Sequence, residues 1–167
     1  FKNFNAKEFS SHGFPNRKDE DWKFSDITQI IKKEIGELNF YTEQLKKGET
    51  DKDILLNKIE HNKLIFINGQ LVQIDFNSED KGKIEFLDNQ NNIDEQLADN
   101  SLINLNNALS NKNYKLLVKK NYQIKKPLII YHTTNSELTS QNINFKINFE
   151  LEENSSLKLI DLVKDKG

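Results

Sequence analysis

The apolar residues near the start of the chain recur at the spacing of a helix face. Phe4 and Phe9 predict a short helix over residues 4–11, and Gly13 can end it by taking a left-handed conformation. Pro15 follows closely, and the residue before a proline is pushed out of the α region, so the chain must be extended or turning there. We therefore expect a helix followed by a turn.

The same helical spacing of apolar residues recurs farther along the chain. It predicts four more helices: one that begins near Ser25, one from Asp51 through Glu60, one over Asp94–Ala98, and one over Ser101–Leu109. Ser25 can cap the first of these four helices, and Ser101 can cap the last. The first and the last of these four carry a clear apolar stripe, which indicates that one face of each helix packs against other parts of the protein.

Between the predicted helices the apolar period changes from 3.6 to about 2, which is typical of strands. Asn68-Gly69 separates the β-rich runs Leu64–Ile67 and Leu71–Phe76, and this dipeptide favours the tight turn of a hairpin. Further strands are predicted over residues 83–87, 114–118, 128–132, 143–151 and 157–163. Apolar and polar residues alternate throughout 143–151, which predicts one buried and one exposed face.

The pattern as a whole predicts an α+β protein with two parts. Residues 1–110 form a helical domain that contains the hairpin near 64–76, and residues 111–167 form a strand-rich domain. Short strands separated by polar turns fit either a β-sandwich or the first coils of a β-solenoid, and the pattern leaves both open. The chain has no initial Met and stops just after a predicted strand, so we expect it to be part of a longer polypeptide.

Composition narrows the classes of function. Lys and Arg number 24 and Asp and Glu 26, and this balance argues against a nucleic-acid-binding protein. Mean hydropathy is −0.75, and no apolar run approaches the roughly 18–20 residues that a membrane span needs. The absence of cysteine excludes disulfides and thiolate chemistry within the chain, and no glycine motif for nucleotide binding occurs. We interpret the scattered His12, His61 and His132 as unrelated structural or surface residues.

One segment differs from the rest of this Lys- and Asn-rich chain. Arg17 is the only arginine, Trp22 is the only tryptophan, and Pro15 is one of two prolines. The run G-F-P-N-R-K-D-E-D-W-K-F-S-D, residues 13–26, resembles the opening signature of the SufB/SufD family, with Phe24 and Ser25 where Tyr and Thr are more usual. Shorter matches follow in the family's order at Phe66–Leu71, Leu105–Leu109, Tyr114–Thr134 and Phe149–Leu157.

The resemblance implies both a fold and a function. Members of this family have an N-terminal helical domain, a central right-handed parallel β-helix and a C-terminal helical domain. The early signature favours the SufD branch, which implies a non-catalytic scaffold component of the cytosolic SufBCD complex for iron–sulfur cluster assembly. Its partners would be SufB-like and SufC-like proteins, and the SufC-like subunit would hydrolyse ATP. The resemblance implies neither nucleic acid nor a membrane as a partner.

The family residues that handle iron or clusters lie later in the family pattern than this chain reaches. The resemblance therefore carries over no catalytic, cofactor-binding or metal-binding residue. The candidate site is the signature itself, as a structural or partner-docking element: Gly13, Pro15, Arg17, Glu20, Trp22 and Phe24.

Two interpretations of these signature residues can be weighed. Arg and Trp are enriched at interface hot spots, so the signature could dock a partner protein. The structural alternative, which we favour, has a buried Trp22 that anchors the first loop, with Arg17 either paired with Glu20 or capping carbonyl groups. The acidic run Asp19–Asp21 could bind a divalent ion, but a short solvated run of charge is the simpler interpretation.

Two other classes of function stay open on the residues alone. A β-helix carbohydrate-active enzyme would need paired carboxylates on one β-face, and no such pair occurs at the outward positions Asn144, Lys146, Asn148 and Glu150. A generic protein-interaction adaptor would instead bind a peptide along an exposed strand.

Overall fold

The structure, a computed structural model, describes residues 2–35, 56, 58–88, 100–110, 112–135, 138 and 141–164. Its contacts group the chain into two compact units. Unit 1 comprises Phe1–Tyr41, Asn89–Asn113 and Ser140–Lys146, and unit 2 comprises Thr42–Asp88, Tyr114–Thr139 and Ile147–Gly167. The hairpin, which the sequence analysis grouped with the front helices, belongs to unit 2 in this division.

Unit 1 is built from helices. They are α1 (Lys2–His12), α2 (Ile27–Ile30), which continues as one wider turn over Ile31–Ile35, and α3 (Ser101–Leu109). Helix α1 packs against α3. The predicted left-handed end of α1 is confirmed, because Gly13 has a φ of +70° and its N–H donates to the Phe9 carbonyl at 2.6 Å.

The predicted serine caps of α2 and α3 are wrong by one residue. Asp26 caps α2, its Oδ1 accepting the N–H of Gln29 at 3.0 Å. Asn100 caps α3, its Oδ1 accepting the N–H of Leu102 at 2.9 Å. Asp and Asn are at least as good as Ser at the N-cap, so the carboxylate or amide beside each serine takes that position.

Unit 2 contains the predicted hairpin, which is confirmed. Strands β1 (Asn62–Ile67) and β2 (Gln70–Asp75) pair antiparallel, and Asn68 and Gly69 have φ angles of +47° and +75°. Residues 51–55 of the predicted third helix lie outside the described residues. Residues 58–60 form a turn and a bend, so that helix does not extend through Glu60 as predicted.

Every further strand predicted from the sequence occurs. They are β3 (Ile84–Asp88), β4 (Lys112–Val118), β5 (Leu128–Thr133), β6 (Phe145–Leu151) and β7 (Leu159–Lys164). The described strands form a sheet of order β2-β1-β5-β7 and a second sheet of order β3-β4-β6. Strands β1, β5 and β7 run parallel, whereas β3 and β4 pair antiparallel. The predicted helix over Asp94–Ala98 lies outside the described residues.

The two strands in the middle of the four-stranded sheet, β1 and β5, are buried on both faces. On one face Phe66 contacts the rings of Phe86 and Tyr114 from the other sheet, at centroid distances of 6.4 and 5.4 Å. On the opposite face Ile65, Ile129 and Tyr131 form a buried cluster that also contacts Leu162. Burial on both faces explains why Leu64–Ile67 and Leu128–Tyr131 are nearly continuous apolar runs.

Strand β6 differs from its prediction. Its strict alternation predicted one buried face, but none of its residues is buried and Phe149 and Leu151 are exposed. Among the described strands, β6 is the last of the three-stranded sheet and is paired along one side only, so fewer neighbours cover its faces. Alternation of apolar and polar residues therefore distinguishes the two faces of a strand, but it does not indicate whether the strand lies in the middle or at the edge of its sheet.

Successive passes of the chain also stack at a turn. Asn121 and Asn154 both have a φ of +56°, the amide of Asn154 donates to Asn121 Oδ1 at 3.1 Å, and the Asn121 N–H donates to the Glu153 carbonyl at 2.8 Å. Asparagine tolerates this left-handed conformation better than other residues that carry a Cβ. The two asparagines thus form the same turn in consecutive passes.

Replacing Asn154 tests this turn. We expect Asn154→Ala to lower the free energy of unfolding by about 1–2 kcal/mol, because alanine is strained at positive φ. Asn154→Gly should lose less than about 0.5 kcal/mol, because glycine adopts that conformation freely. Chemical denaturation measures both, with Glu153→Ala as the neighbouring control. Equal losses for the alanine and glycine variants would contradict the conformational explanation.

None of the helices in the described part of the chain is long and apolar enough to cross a membrane.

Candidate functional site

The signature loop, residues 13–26, follows α1 and is held by its own polar groups. The Asn16 N–H donates to Asp19 Oδ2 at 2.8 Å, and the Asp19 N–H donates back to the Asn16 carbonyl at 2.9 Å. Asn16 Oδ1 also accepts the N–H of Lys18 at 2.9 Å. Asn and Asp favour such turns because their short side chains reach nearby backbone groups. The loop then enters a short 3-10 turn over Glu20–Trp22.

Trp22 is partly buried rather than enclosed. Its backbone N–H donates to the Asp19 carbonyl at 2.9 Å, which places the indole at the end of the 3-10 turn. The structural interpretation expected a buried Trp22, whereas the residue is only partly buried. Part of the only tryptophan side chain is therefore available to contact another molecule.

Arg17 lies near Asp26 and not near Glu20, so the first of the two roles that the structural interpretation gave it is wrong. Its Nε lies 3.9 Å from Asp26 Oδ2, the carboxylate that caps α2, and both side chains are partly exposed. At that distance and exposure the ion pair contributes little to stability. Arg17 thus faces the second helix rather than the acidic turn of the loop.

The two ends of the signature have different surroundings. A side chain at Gly13 would meet no residue other than its two chain neighbours within 4 Å of its Cβ, so glycine is needed there for its positive φ and not for a close approach. Phe24 is 94% exposed, and the Lys23 ammonium lies 5.8 Å from its ring centroid. Neither end contributes to the cleft described next.

Three of the six signature residues, Pro15, Glu20 and Trp22, line one cleft of about 640 Å³ within unit 1. The rest of its wall comes from α1, from the signature loop and from the start of α3: Glu8, His12, Asn16, Asp19, Asp21, Asn100, Ser101 and Asn104. The volume is within the range typical of ligand pockets. The signature thus forms part of a concave surface, a shape that the sequence did not predict for it.

The wall of this cleft is acidic. It carries the carboxylates of Glu8, Asp19, Glu20 and Asp21, and no Lys or Arg is among the described residues that line it. Asp19 accepts the backbone hydrogen bond that shapes the loop, and Glu8 Oε2 lies 3.9 Å from the His12 ring. Within the part of the chain that the structure describes, Glu20 and Asp21 make no side-chain hydrogen bond or ion pair.

The three histidines lie in different surroundings. His12 ends α1, and His61 Nε2 lies 2.8 Å from the Tyr131 hydroxyl. His132 is partly buried, and its Nε2 lies 2.8 Å from Asp161 Oδ1. Among the described residues no three His, Asp or Glu side chains are close enough to hold a metal ion.

Unit 2 contains a buried carboxylate that sequence reasoning did not single out. Asp80 is fully buried. Its Oδ2 accepts from Asn62 Nδ2 at 2.8 Å and from the Lys126 N–H at 3.0 Å, and its Oδ1 accepts from the Lys125 N–H at 2.8 Å and from the Tyr122 hydroxyl at 2.9 Å. Asp80 therefore connects strand β1 to the segment that leads into β5.

The hydrogen bonds of Asp80 decide its protonation. Burial by itself raises the pKa of Asp80, but donation from Asn62, from the two lysine N–H groups and from Tyr122 outweighs it, so the pKa is lowered. Burial, together with the hydrogen bond to Asp80, raises the pKa of Tyr122 to about 12. A buried carboxylate that is held ionised by four donors is suited to holding the fold and not to transferring protons.

Nothing local in the sequence indicates the parts of these sites that were missed. Glu8 and His12 reach the cleft because α1 packs on α3, which is about 90 residues away in the chain. Asp80 lies in a charged turn that resembles any solvated turn, and only the partners brought to it by β1 and β5 distinguish it.

No protein-family model matches the chain, and no curated protein is significantly similar to it.

Proposed function

We propose that the chain is the N-terminal part of a SufD-like scaffold subunit, which acts without catalysis in a cytosolic SufBCD-type complex for iron–sulfur cluster assembly. The signature at residues 13–26 supports this proposal, since almost every position of the family pattern is filled. The helical front unit and the parallel strands that follow it are compatible with the architecture that the family implies.

The observation that carries the proposal is the parallel stacking of successive passes of the chain. Leu128 of β5 is in register with Leu159 of β7, an offset of 31 residues. Gln123 forms a parallel bridge with Ser156, an offset of 33 residues. A chain that returns beside itself in parallel at a nearly constant offset is the repeating unit of a β-solenoid, whereas a sandwich of hairpins pairs its strands antiparallel.

Backbone hydrogen bonds between the passes continue the same register. The Glu152 N–H donates to the Val118 carbonyl at 3.0 Å, and the Ile124 N–H donates to the Ser156 carbonyl at 3.1 Å. The stacked asparagines Asn121 and Asn154 lie between these two points. Stacking therefore extends from one sheet, around the turn, and into the other sheet, as it does in a coil of a β-helix.

Both sheets present an edge on which a further coil can stack. Strands β6 and β7 are each the last strand of their sheet, and their exposed apolar residues are Phe149, Leu151, Leu159, Ile160 and Val163. Unpaired edges with exposed apolar side chains favour association with another strand. In the proposed right-handed β-helix the next coil of the subunit covers these residues.

Co-purification tests the proposal. We expect the tagged full-length protein, co-expressed with SufB-like and SufC-like proteins from the same source, to retain both through gel filtration as a complex of fixed stoichiometry. A culture that expresses both partners together with the tag alone is the control for non-specific capture by the tag or the resin. Elution of the protein without either partner, together with activity on an acidic polysaccharide, would favour the carbohydrate-active alternative.

A further inference from the structure

We propose that the acidic cleft of unit 1 docks a cationic peptide segment, rich in Lys or Arg, of another protein. This inference is independent of the function proposed above, because it stands on the shape, charge and aromatic wall of the cleft. Concave shape, excess negative charge and an accessible tryptophan occur together at this surface.

The charge of the cleft determines the sign of its ligand. Glu8, Asp19, Glu20 and Asp21 contribute four carboxylates to a lining whose described residues include no Lys or Arg, while Lys18 and Lys23 flank the acidic run in the sequence. A concave surface of one charge sign concentrates the field and attracts ligands of the opposite sign. Glu20 and Asp21 are best placed to bind, because both are exposed and their carboxylates have no partner among the described residues.

The spread of the carboxylates favours a peptide over a metal ion. A divalent cation needs several oxygen ligands within about 2–2.6 Å of one point. Among the residues that the structure describes, no group of three acidic or histidine side chains converges in this way. Charges distributed around a space of about 640 Å³ instead match a ligand whose own charges are several ångströms apart, as they are in a basic peptide.

Trp22 supplies the second kind of contact. Trp22 is one of the residues that line the cleft and is only partly buried, so we expect a cationic side chain that enters between the carboxylates to lie against its indole. Trp is the best aromatic partner for Lys and Arg in cation–π contacts and is enriched in binding hot spots. The cleft therefore combines charge attraction with a surface for the aliphatic part of the cationic side chain.

Calorimetry with a defined peptide tests the proposal on the full-length protein. The probe is acetyl-Lys-Ala-Arg-Ala-Lys-amide, and the matched probe has Gln in place of each Lys and Arg. We expect saturable binding of the cationic probe only, weakened several-fold when salt is raised from about 0.05 to 0.2 M, because screening reduces charge attraction. Trp22 emission should change in parallel, and a Trp22→Phe variant of the full-length protein shows which part of the signal comes from the cleft.

Two variants with the same change in net charge locate the site. Glu20→Gln with Asp21→Asn should weaken binding of the cationic probe about tenfold, which corresponds to the loss of two charge contacts. Glu79→Gln with Glu153→Gln, in unit 2, removes two negative charges elsewhere and should leave binding unchanged. Circular dichroism checks that both variants are folded. If one of them fails to fold, the comparison of the two probes on the wild-type protein still tests the proposal.

Four results would overturn the proposal. The first is equal binding of the cationic and the Gln-containing probes, and the second is unchanged affinity in the variant that carries both Glu20→Gln and Asp21→Asn. The third is saturable quenching of Trp22 emission by Ca²⁺ alone, which would indicate a metal site. The fourth concerns a second copy of the chain. Self-association of the protein that the cationic probe reverses would show instead that a second copy of this chain occupies the cleft.

Discussion

Replacing Asp80 by Ala is expected to lower the free energy of unfolding by about 3–5 kcal/mol, since each buried donor left without its acceptor costs about 1–3 kcal/mol. Four donors converge on this carboxylate: the Asn62 amide, the Tyr122 hydroxyl and the N–H groups of Lys125 and Lys126. Asp80→Asn should lose less, about 2–3 kcal/mol, because its amide oxygen can still accept while its NH₂ opposes a donor. Urea denaturation at neutral pH measures both losses.

The same substitution should change how stability depends on pH. The pKa of Asp80 is lowered in the folded protein below the value of about 3.9 for an unfolded chain. The unfolded state therefore binds the proton more readily, so the contribution of Asp80 is fully present above about pH 5 and is lost as the pH falls through the folded pKa. The difference in stability between wild type and Asp80→Asn should shrink below pH 4.

Glu79→Gln is the control for the Asp80 prediction. Glu79 precedes Asp80 in the same turn, its side chain is exposed, and its loss should change stability by less than about 0.5 kcal/mol. An Asp80→Ala variant within 1 kcal/mol of wild type, or a stability difference between wild type and Asp80→Asn that is constant from pH 7 to 3, would contradict the role given to this carboxylate.

The extent to which the sequence predicts the fold depends on how local each feature is. The hairpin at Asn68-Gly69 and the end of α1 at Gly13 follow from the conformations of one or two residues, and both are confirmed. The caps of α2 and α3 were displaced because Ser25 and Ser101 each adjoin an Asp or Asn that competes for the same position. Local chemistry thus sets an element and, in these cases, fixes its limits to within about two residues.

Features that depend on distant partners could not be predicted in this way. Alternation along residues 143–151 identified a strand but not its place at a sheet edge. Strand period does not specify whether β5 pairs β7 parallel or antiparallel, so the pattern left the solenoid and the sandwich open. The cleft and the Asp80 hydrogen bonds likewise form only when segments far apart in the sequence meet.

Phe66→Ala is the other substitution with a large expected effect, about 3–5 kcal/mol lost from the free energy of unfolding, as is usual for a buried phenylalanine. Phe66 is 1% exposed. Its ring lies on β1, stacks on His132 of β5 at 5.4 Å, and contacts Tyr114 of the other sheet edge-on at 5.4 Å. Loss of the ring leaves a cavity between the two sheets, and thermal or urea denaturation measures the result.

Phe24→Ala is the matched control, because it deletes the same ring at a position that is 94% exposed and should change stability by less than about 0.5 kcal/mol. Phe66→Leu keeps much of the apolar volume and should lose only about 1–1.5 kcal/mol. A double-mutant cycle of Phe66→Leu with Tyr114→Leu should show a coupling of about 0.5–1.5 kcal/mol, the range for aromatic pairs. Equal losses for Phe66→Ala and Phe24→Ala would mean that the ring of Phe66 does not join the two sheets.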